Sequence, residues 1–139
     1  MNPFDTQADP AETREEIPRD QWSVFLDRFS LQHENWLVDV FSKTSDQELV
    51  RLAHELPLQS IAASLKAGDD DTMSIVLANT KTEMLSHNQP RVRRMFLLEN
   101  PQGAHTGLVL EGSDGTETIL RFRATGLPET IDGVMDGNE

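Results

Sequence analysis

The chain has 139 residues, a formal net charge of −12 and no cysteine. A chain of this length fits one domain with a hydrophobic core of its own. The lack of cysteine excludes disulfides and thiolate metal sites, and the acidic charge disfavours nucleic acid, whose phosphates need clustered positive charge. No apolar run approaches the ~18 residues that span a bilayer, and the first residues do not resemble a secretory signal. We therefore expect a cytoplasmic protein that binds neither nucleic acid nor membrane.

The acidic charge is concentrated at the two ends of the chain. Residues 1–17 contain five acids and one base, and residues 128–139 contain four acids and no base. The first segment lacks apolar periodicity, and such segments bury too little surface to offset the entropy of ordering. The predicted organisation is a disordered acidic tail over residues 1–17, a single domain over residues 18–127 and an acidic C-terminal tail over residues 128–139.

The stretch that organises the domain begins at Asp20. Four apolar side chains follow at the helical spacing i, i+3, i+4 and i+7 and form one stripe: Trp22, Phe25, Leu26 and Phe29. Asp20 suits the N-cap position, because its carboxylate can accept from the free amides of the first turn. We predict an amphipathic helix over about residues 19–32. Apolar alternation over residues 36–42 then predicts a strand with a buried face.

Residues 46–55 carry two conflicting signals. Ser45 and Glu48 have the spacing of a capping box, which predicts a helix. The apolar residues that follow also alternate in the way that is typical of a strand. Pro57 is expected to end either element, because proline restricts the residue before it.

Turn signals divide the rest of the chain into strands. Two strands that flank Gly68 predict a hairpin, and residues 79–90 predict a crossing loop because they are mostly polar. Three strands joined by tight turns close the domain as a meander: residues 92–98, 108–111 and 116–123. The predicted fold is α+β, with one N-terminal amphipathic helix packed on an antiparallel sheet or partly closed barrel of about six strands.

The chain lacks the motifs that mark the common catalytic and cofactor sites. It contains no glycine-rich phosphate loop of either usual kind and no nucleophile elbow. His54 and Glu55 begin like a zinc-protease motif, but the position that needs the second histidine is Leu58. We therefore predict no catalytic residue, no metal site and no cofactor.

Four residues are weak candidates for a binding site: Asp39, His33, Arg121 and Arg123. Asp39 is a carboxylate within an apolar strand, and such a residue usually points to solvent or pairs with an arginine. His33 lies near the helix C-terminus, where the dipole favours a cation, and we expect it to be exposed to solvent.

Arginines are concentrated on two strands of the predicted meander. Arg91, Arg93 and Arg94 open its first strand, whereas Arg121 and Arg123 close its third. The first and third strands of a meander are parallel, so the two groups are predicted to lie at opposite ends of the sheet, ~20 Å apart. A shallow anion-binding face is one interpretation, and arginines that guard edge strands against association are the favoured one.

Four segments carry a resemblance to a known family: FLDRFSLQHENWLVDV (Phe25–Val40), HELPLQSI (His54–Ile61), ILRFR (Ile119–Arg123) and LPETIDG (Leu127–Gly133). They resemble a bacterial family of small uncharacterised proteins, the domain-of-unknown-function family 5335. The resemblance implies a strand rather than a helix for Glu48–Glu55, and it assigns no functional residue.

Two classes of function stay open on the sequence. The favoured one is a non-enzymatic protein-interaction or accessory module, which meets a protein partner through its sheet or an exposed edge. The alternative is a small-molecule-binding or hydrolytic domain, with its site between helix and sheet near Asp39 and a histidine. The sequence does not predict the oligomeric state.

Overall fold

The computed structural model describes residues 12–65, 71–79 and 82–123. A 3₁₀ turn over Arg19–Gln21 leads directly into helix α1, Trp22–Gln32, which confirms the predicted helix. The prediction of Asp20 as N-cap is wrong, because the N-cap of α1 is Gln21 and makes no side-chain cap bond. The 3₁₀ turn already occupies the position that the cap would have needed.

Packing on one face, rather than capping, holds α1 in place. Trp22, Leu26 and Phe29 are each no more than 1% exposed, and the Phe25 ring lies 5.5 Å from that of Phe29. The Trp22 indole also donates a hydrogen bond of 2.8 Å to the carbonyl of Ile17. The apolar stripe predicted from the spacing is therefore the surface that joins the helix to the sheet.

The described residues form one open antiparallel sheet of eight strands, so α+β is correct and the predicted number of about six strands is wrong. The strands are β1 Thr13–Ile17, β2 Leu37–Lys43, β3 Leu49–Ser64, β4 Thr72–Ala78, β5 Met84–Gln89, β6 Val92–Glu99, β7 His105–Gly112 and β8 Glu117–Phe122. Their order is β1-β6-β7-β8-β2-β3-β4-β5, which leaves β1 and β5 as the two edges.

Strand β1 corrects part of the predicted N-terminal tail. Thr13–Ile17 pairs with β6 over five residues, although only Ile17 is buried. The sequence did not reveal this strand because backbone pairing, rather than apolar burial, holds it on the sheet. The rest of the predicted tail, residues 1–11, lies outside the described residues, as does the predicted C-terminal tail over residues 128–139.

Strand β3 is one long element where the sequence predicted a break at Pro57. The amide of Leu58 donates to the Trp36 carbonyl at 2.9 Å, so Leu58 faces β2 and Pro57 faces the opposite side. On that side the pairing with β4 begins only at Leu58, so the missing proline N–H removes no ladder bond. β3 thereby pairs with β2 through its first half and with β4 through its second half.

The capping-box helix does not form. Residues Thr44 and Glu48 close the β2–β3 hairpin instead, through a backbone bond of 2.9 Å from the Thr44 amide to the Glu48 carbonyl. The Thr44 hydroxyl accepts from the Glu48 amide at 3.1 Å. The strand that the family resemblance implied for Glu48–Glu55 matches β3 from Leu49 onward.

Strand β5 replaces most of the predicted crossing loop. Met84–Gln89 pairs with β4 over six consecutive residues without a register shift. The polar composition of residues 79–90 concealed it, because an edge strand needs few apolar side chains. The hairpin predicted around Gly68 and the closing meander are both confirmed by the pairing of β3 with β4 and of β6, β7 and β8.

The main core lies between α1 and the inner face of the sheet, and it draws on every strand of the middle of the sheet. A second, smaller cluster lies on the outer face of the sheet, where five apolar side chains are buried: Phe41, Phe96, Leu98, Val109 and Ile119. Alternation along β2 and β8 thus buries side chains on both faces, and it places Asp39 and Arg121 on the outer face.

Candidate functional site

A β-bulge organises the polar side chains on the outer face of β2 and β3. The register shifts between Val38 and Val40, and Glu55 on β3 has a φ of 53°. Asp39 supplies the bond that the bulge removes from the ladder, because its Oδ1 accepts from the Glu55 amide at 2.7 Å. Asp39 therefore accepts a hydrogen bond from the backbone, which the sequence did not predict.

A histidine and an arginine extend this group. His54 Nδ1 lies 3.2 Å from Asp39 Oδ1, and its Nε2 lies 3.3 Å from Glu55 Oε2. The Arg123 guanidinium donates to the same Glu55 carboxylate. More than half of each of the His54 and Arg123 side chains is exposed, so these contacts are solvent-screened and weak.

Arg121 lies beside Asp39 in the ladder but binds elsewhere. The two residues are register partners on β2 and β8, yet Arg121 Nη1 donates to Glu12 Oε2 at 2.8 Å. The Thr106 hydroxyl donates to the same oxygen of Glu12, whose side chain is only 4% exposed. Arg121 thus neutralises a nearly buried carboxylate.

The structure therefore brings together three of the four candidate residues, Asp39, Arg121 and Arg123, on the outer face of the sheet. The group can hold the bulge and bind Glu12. Among its described contacts the imidazole of His54 meets two carboxylates and Arg51, and none of these is a hydroxyl or thiol that the imidazole could activate. The arrangement therefore gives no support to acyl transfer.

The arginine pattern is half confirmed. In the ladder Arg94 pairs with Glu111, whereas Arg121 pairs with Gly107, so the two arginine groups lie at opposite ends of the meander, as predicted. The edge-strand interpretation is wrong, because β6 lies between β1 and β7 and β8 lies between β7 and β2. The arginines on these strands cannot guard an edge.

His33 lies on the other face of the sheet and is buried, so the prediction of an exposed side chain is wrong. It is 3% exposed, between Trp36 and Phe122, whose ring centroids lie 4.5 and 4.7 Å from its own. Its Nδ1 donates to the Phe29 carbonyl at 2.7 Å, and His105 Nδ1 lies 3.2 Å from its Nε2. Burial lowers the pKa of His33, and the nearby His105 lowers it further.

His87 lies apart from the residues around Asp39 and from the buried His33. Its Nε2 lies 3.0 Å from the Thr118 hydroxyl, and that hydroxyl donates to Gln89 Oε1 at 2.7 Å. Burial lowers the pKa of His87. Across residues 12–65, 71–79 and 82–123, no three histidine, aspartate or glutamate side chains are grouped so as to hold a metal ion.

The outer backbone groups of the edge strand β5 pair with no strand of the residues that the structure describes. The Asn79 amide donates to the Glu83 carbonyl at 3.2 Å, and hydrogen-bonded positions recur every second residue from there. The backbone groups of Leu85, His87 and Gln89 therefore face β4, and those of the intervening residues face away. These outward positions are Met84, Ser86 and Asn88, whose side chains are exposed.

The two edges of the sheet differ in charge. β1 has the sequence TREEI, with its first four residues exposed, so charged side chains guard that edge. β5 has the sequence MLSHNQ, with no lysine, arginine, carboxylate or proline, and its ladder with β4 contains no bulge. Met84 is 69% exposed at the start of this strand. β5 thus lacks the charged side chains, the proline and the bulge that often protect an edge.

The sequence carried one weak signal of this edge. Leu85, His87 and Gln89 alternate with Met84, Ser86 and Asn88, but the polar side chains on both sets hide the period of two.

Comparison of the chain with protein-family models, curated proteins and solved structures gave no match. The resemblance to family 5335 therefore stays a prediction. Within the part of the chain that the structure describes, no helix is long and apolar enough to cross a membrane.

Proposed function

We propose that this chain is a non-enzymatic protein-interaction module that binds an extended segment of a partner along the edge of β5. One observation carries the proposal: β5 is an uncharged, regular edge strand of six residues, next to which the described residues place no further strand. An extended segment that pairs with such an edge satisfies its backbone groups, and alternate side chains give specificity.

The outward backbone supplies enough bonds for a specific, moderate interaction. Met84, Ser86 and Asn88 each offer one N–H and one C=O, and each hydrogen bond contributes about 0.5–1.5 kcal/mol net. Met84 adds an exposed apolar contact at one end. The net charge of −12 favours the approach of a segment with basic residues.

The alternative, a small-molecule or hydrolytic site between helix and sheet, receives less support. It was expected to combine Asp39 with a histidine near α1, but Asp39 lies on the outer face and His33 packs beneath α1. Among the described residues, the contact between Asp39 and His54 is the arrangement that favours it. We propose a cytoplasmic location on the basis of the cysteine-free sequence.

Selection of peptides on the purified chain tests the proposal. A random peptide library is selected against wild type, and the selected peptides are measured by calorimetry against three variants. Ser86→Pro removes an outward donor that β4 does not use, and Ser86→Lys places a charge on the edge. Thr13→Lys places the same charge on the edge of β1 and is the matched control.

Peptides that bind wild type and Thr13→Lys but not the two Ser86 variants are the expected result. Circular dichroism establishes that each variant is folded. Selected peptides that bind all three variants equally would show that β5 is not the interaction edge.

A further inference from the structure

An arginine-lined cleft lies where the 3₁₀ turn meets the beginnings of β4 and β6. Its volume is about 360 Å³, and its polar lining comprises Arg19, Arg91, Arg93, Asp71 and Ser113. Three of these side chains are cationic and one is anionic, which is the reverse of the balance in the whole chain. Sequence reasoning included Arg91 and Arg93 in a possible anion-binding face, but it missed Arg19, which comes from a distant segment.

The single carboxylate of the lining is already engaged. Arg19 Nε donates to Asp71 Oδ2 at 2.5 Å, and Arg19 Nη2 donates to Asp71 Oδ1 at 3.0 Å. This bidentate pair raises the pKa of Arg19, chiefly through the hydrogen bond, and the Asp71 side chain is 5% exposed. Asp71 thus fixes the Arg19 guanidinium at the cleft.

The other two guanidinium groups are available to a ligand. Within the described part of the chain, Arg91 forms one ion pair, a long one of 3.5 Å to Asp114, and Asp114 also accepts from the Thr116 hydroxyl at 2.7 Å. For Arg93, no carboxylate of the described residues lies within ion-pair distance. Guanidinium groups bind phosphate through paired N–H donors, which gives short and strong hydrogen bonds.

The backbone at Arg91 is held in a conformation that other residues adopt more easily. Its φ is 49°, in the left-handed region where glycine or asparagine is favoured. The Ser113 amide fixes it by donating to the Arg91 carbonyl at 2.9 Å, and the Val92 amide donates to the Asp71 carbonyl at the same distance. Strained positions of this kind cluster at binding sites, and this one aims a charged side chain at the cleft.

The floor of the cleft is apolar. Trp22 is 1% exposed and Val92 is 5% exposed, and both line the cleft. An apolar floor limits the water that competes for the guanidinium groups and so strengthens their attraction for an anion. The volume lies at the lower end of the range for small-molecule sites, which suits a compact anion with at most a small organic group.

We propose that this cleft binds a phosphate-type anion, either free or carried as a phosphomonoester on a small molecule. The site is separate from the β5 edge and does not depend on the interaction proposed there. Arg91 and Arg93 are its ligands, and Asp71 positions Arg19 at the cleft while offsetting its charge.

The intrinsic fluorescence of Trp22 offers a direct test. The chain has two tryptophans, so a Trp36→Phe background leaves Trp22 as the only one. This protein is titrated with inorganic phosphate and with glycerol 3-phosphate, with chloride at matched ionic strength as the reference. Calorimetry on wild type repeats both titrations and covers the case in which binding does not change the fluorescence.

The variants are Arg91→Gln with Arg93→Gln, and Arg94→Gln as the matched control. Arg94 is adjacent in sequence but does not line the cleft, and it pairs with Glu111 at 2.9 Å. We expect saturable binding of at least one of the two anions, weakened at least about tenfold in the double variant and unchanged in Arg94→Gln. Tighter binding of glycerol 3-phosphate would identify the phosphomonoester as the ligand, and equal or weaker binding the free anion.

Two results would overturn the proposal. One is the absence of saturable binding of either anion by both fluorescence and calorimetry. The other is an equal loss in Arg94→Gln and the double variant, which would show that the anion responds only to the net charge. Circular dichroism confirms that each variant is folded.

Discussion

Removal of the Asp39 carboxylate tests whether the bulge between β2 and β3 depends on it. In Asp39→Ala the Glu55 amide loses an acceptor at 2.7 Å, and a hydrogen bond to a charged group contributes about 1.5–3 kcal/mol. The contact with His54 adds little, because the His54 side chain is 53% exposed and exposed ion pairs contribute about 0–1 kcal/mol. We therefore expect a loss of about 2 kcal/mol in the free energy of unfolding.

Two further variants separate the amide from the ion pair. Asp39→Asn keeps an oxygen that can accept from Glu55, so the expected loss is about 1 kcal/mol. His54→Ala removes only the exposed contact, and its effect should stay within about 0.5 kcal/mol. Urea denaturation followed by tryptophan fluorescence measures the free energy of unfolding of all three variants. A loss in His54→Ala as large as that in Asp39→Ala would refute the assignment to the backbone amide.

Three further predictions concern the core, the buried histidines and the arginine that binds Glu12. Phe29→Ala should lower the free energy of unfolding by about 3–5 kcal/mol, because the ring is fully buried between α1 and the sheet. A loss below about 1 kcal/mol on denaturation would show that the apolar stripe is not part of the core. Burial lowers the pKa of His33 and His87, so the unfolded chain binds protons first and stability should fall as the pH drops below about 6.5. Denaturation between about pH 7.5 and pH 5.5 measures how the free energy of unfolding changes with pH. An unchanged pH dependence in the double variant His33→Gln, His87→Gln would show that these histidines do not cause it. Arg121→Ala should cost about 3 kcal/mol, since it strands the nearly buried Glu12 carboxylate, whereas a loss no larger than that in Arg123→Ala would show that the pair is solvent-screened.

Local periodicity predicted the elements that bury an apolar face. The α1 stripe and the strands of the meander carry that periodicity, and each appears in the structure at about the predicted place. The edge strands β1 and β5 bury little and depend on backbone bonds to β6 and β4. Backbone bonds leave little trace in the side-chain pattern, which is why a tail and a loop were predicted there.

The contacts of the candidate residues lie beyond local patterns. Pro57 was predicted to end a strand, because the sequence does not show that its missing N–H faces a side on which β4 has not yet begun to pair. His33 was predicted to be exposed at the end of the helix, because the residues that cover it, Phe122 and His105, come from distant strands. Arg19 and Arg93 likewise meet only through the fold.

Amide hydrogen exchange of β5 tests the proposed function most directly. The exchange rates of Met84, Ser86 and Asn88 are measured by NMR with and without a peptide selected on wild type. Their amides point away from β4, so pairing with the peptide should slow exchange at these three positions and leave Leu85 and His87, already bonded to β4, almost unchanged. Unchanged exchange at the three outward amides in the presence of bound peptide, or slowing confined to β1, would contradict strand addition at this edge.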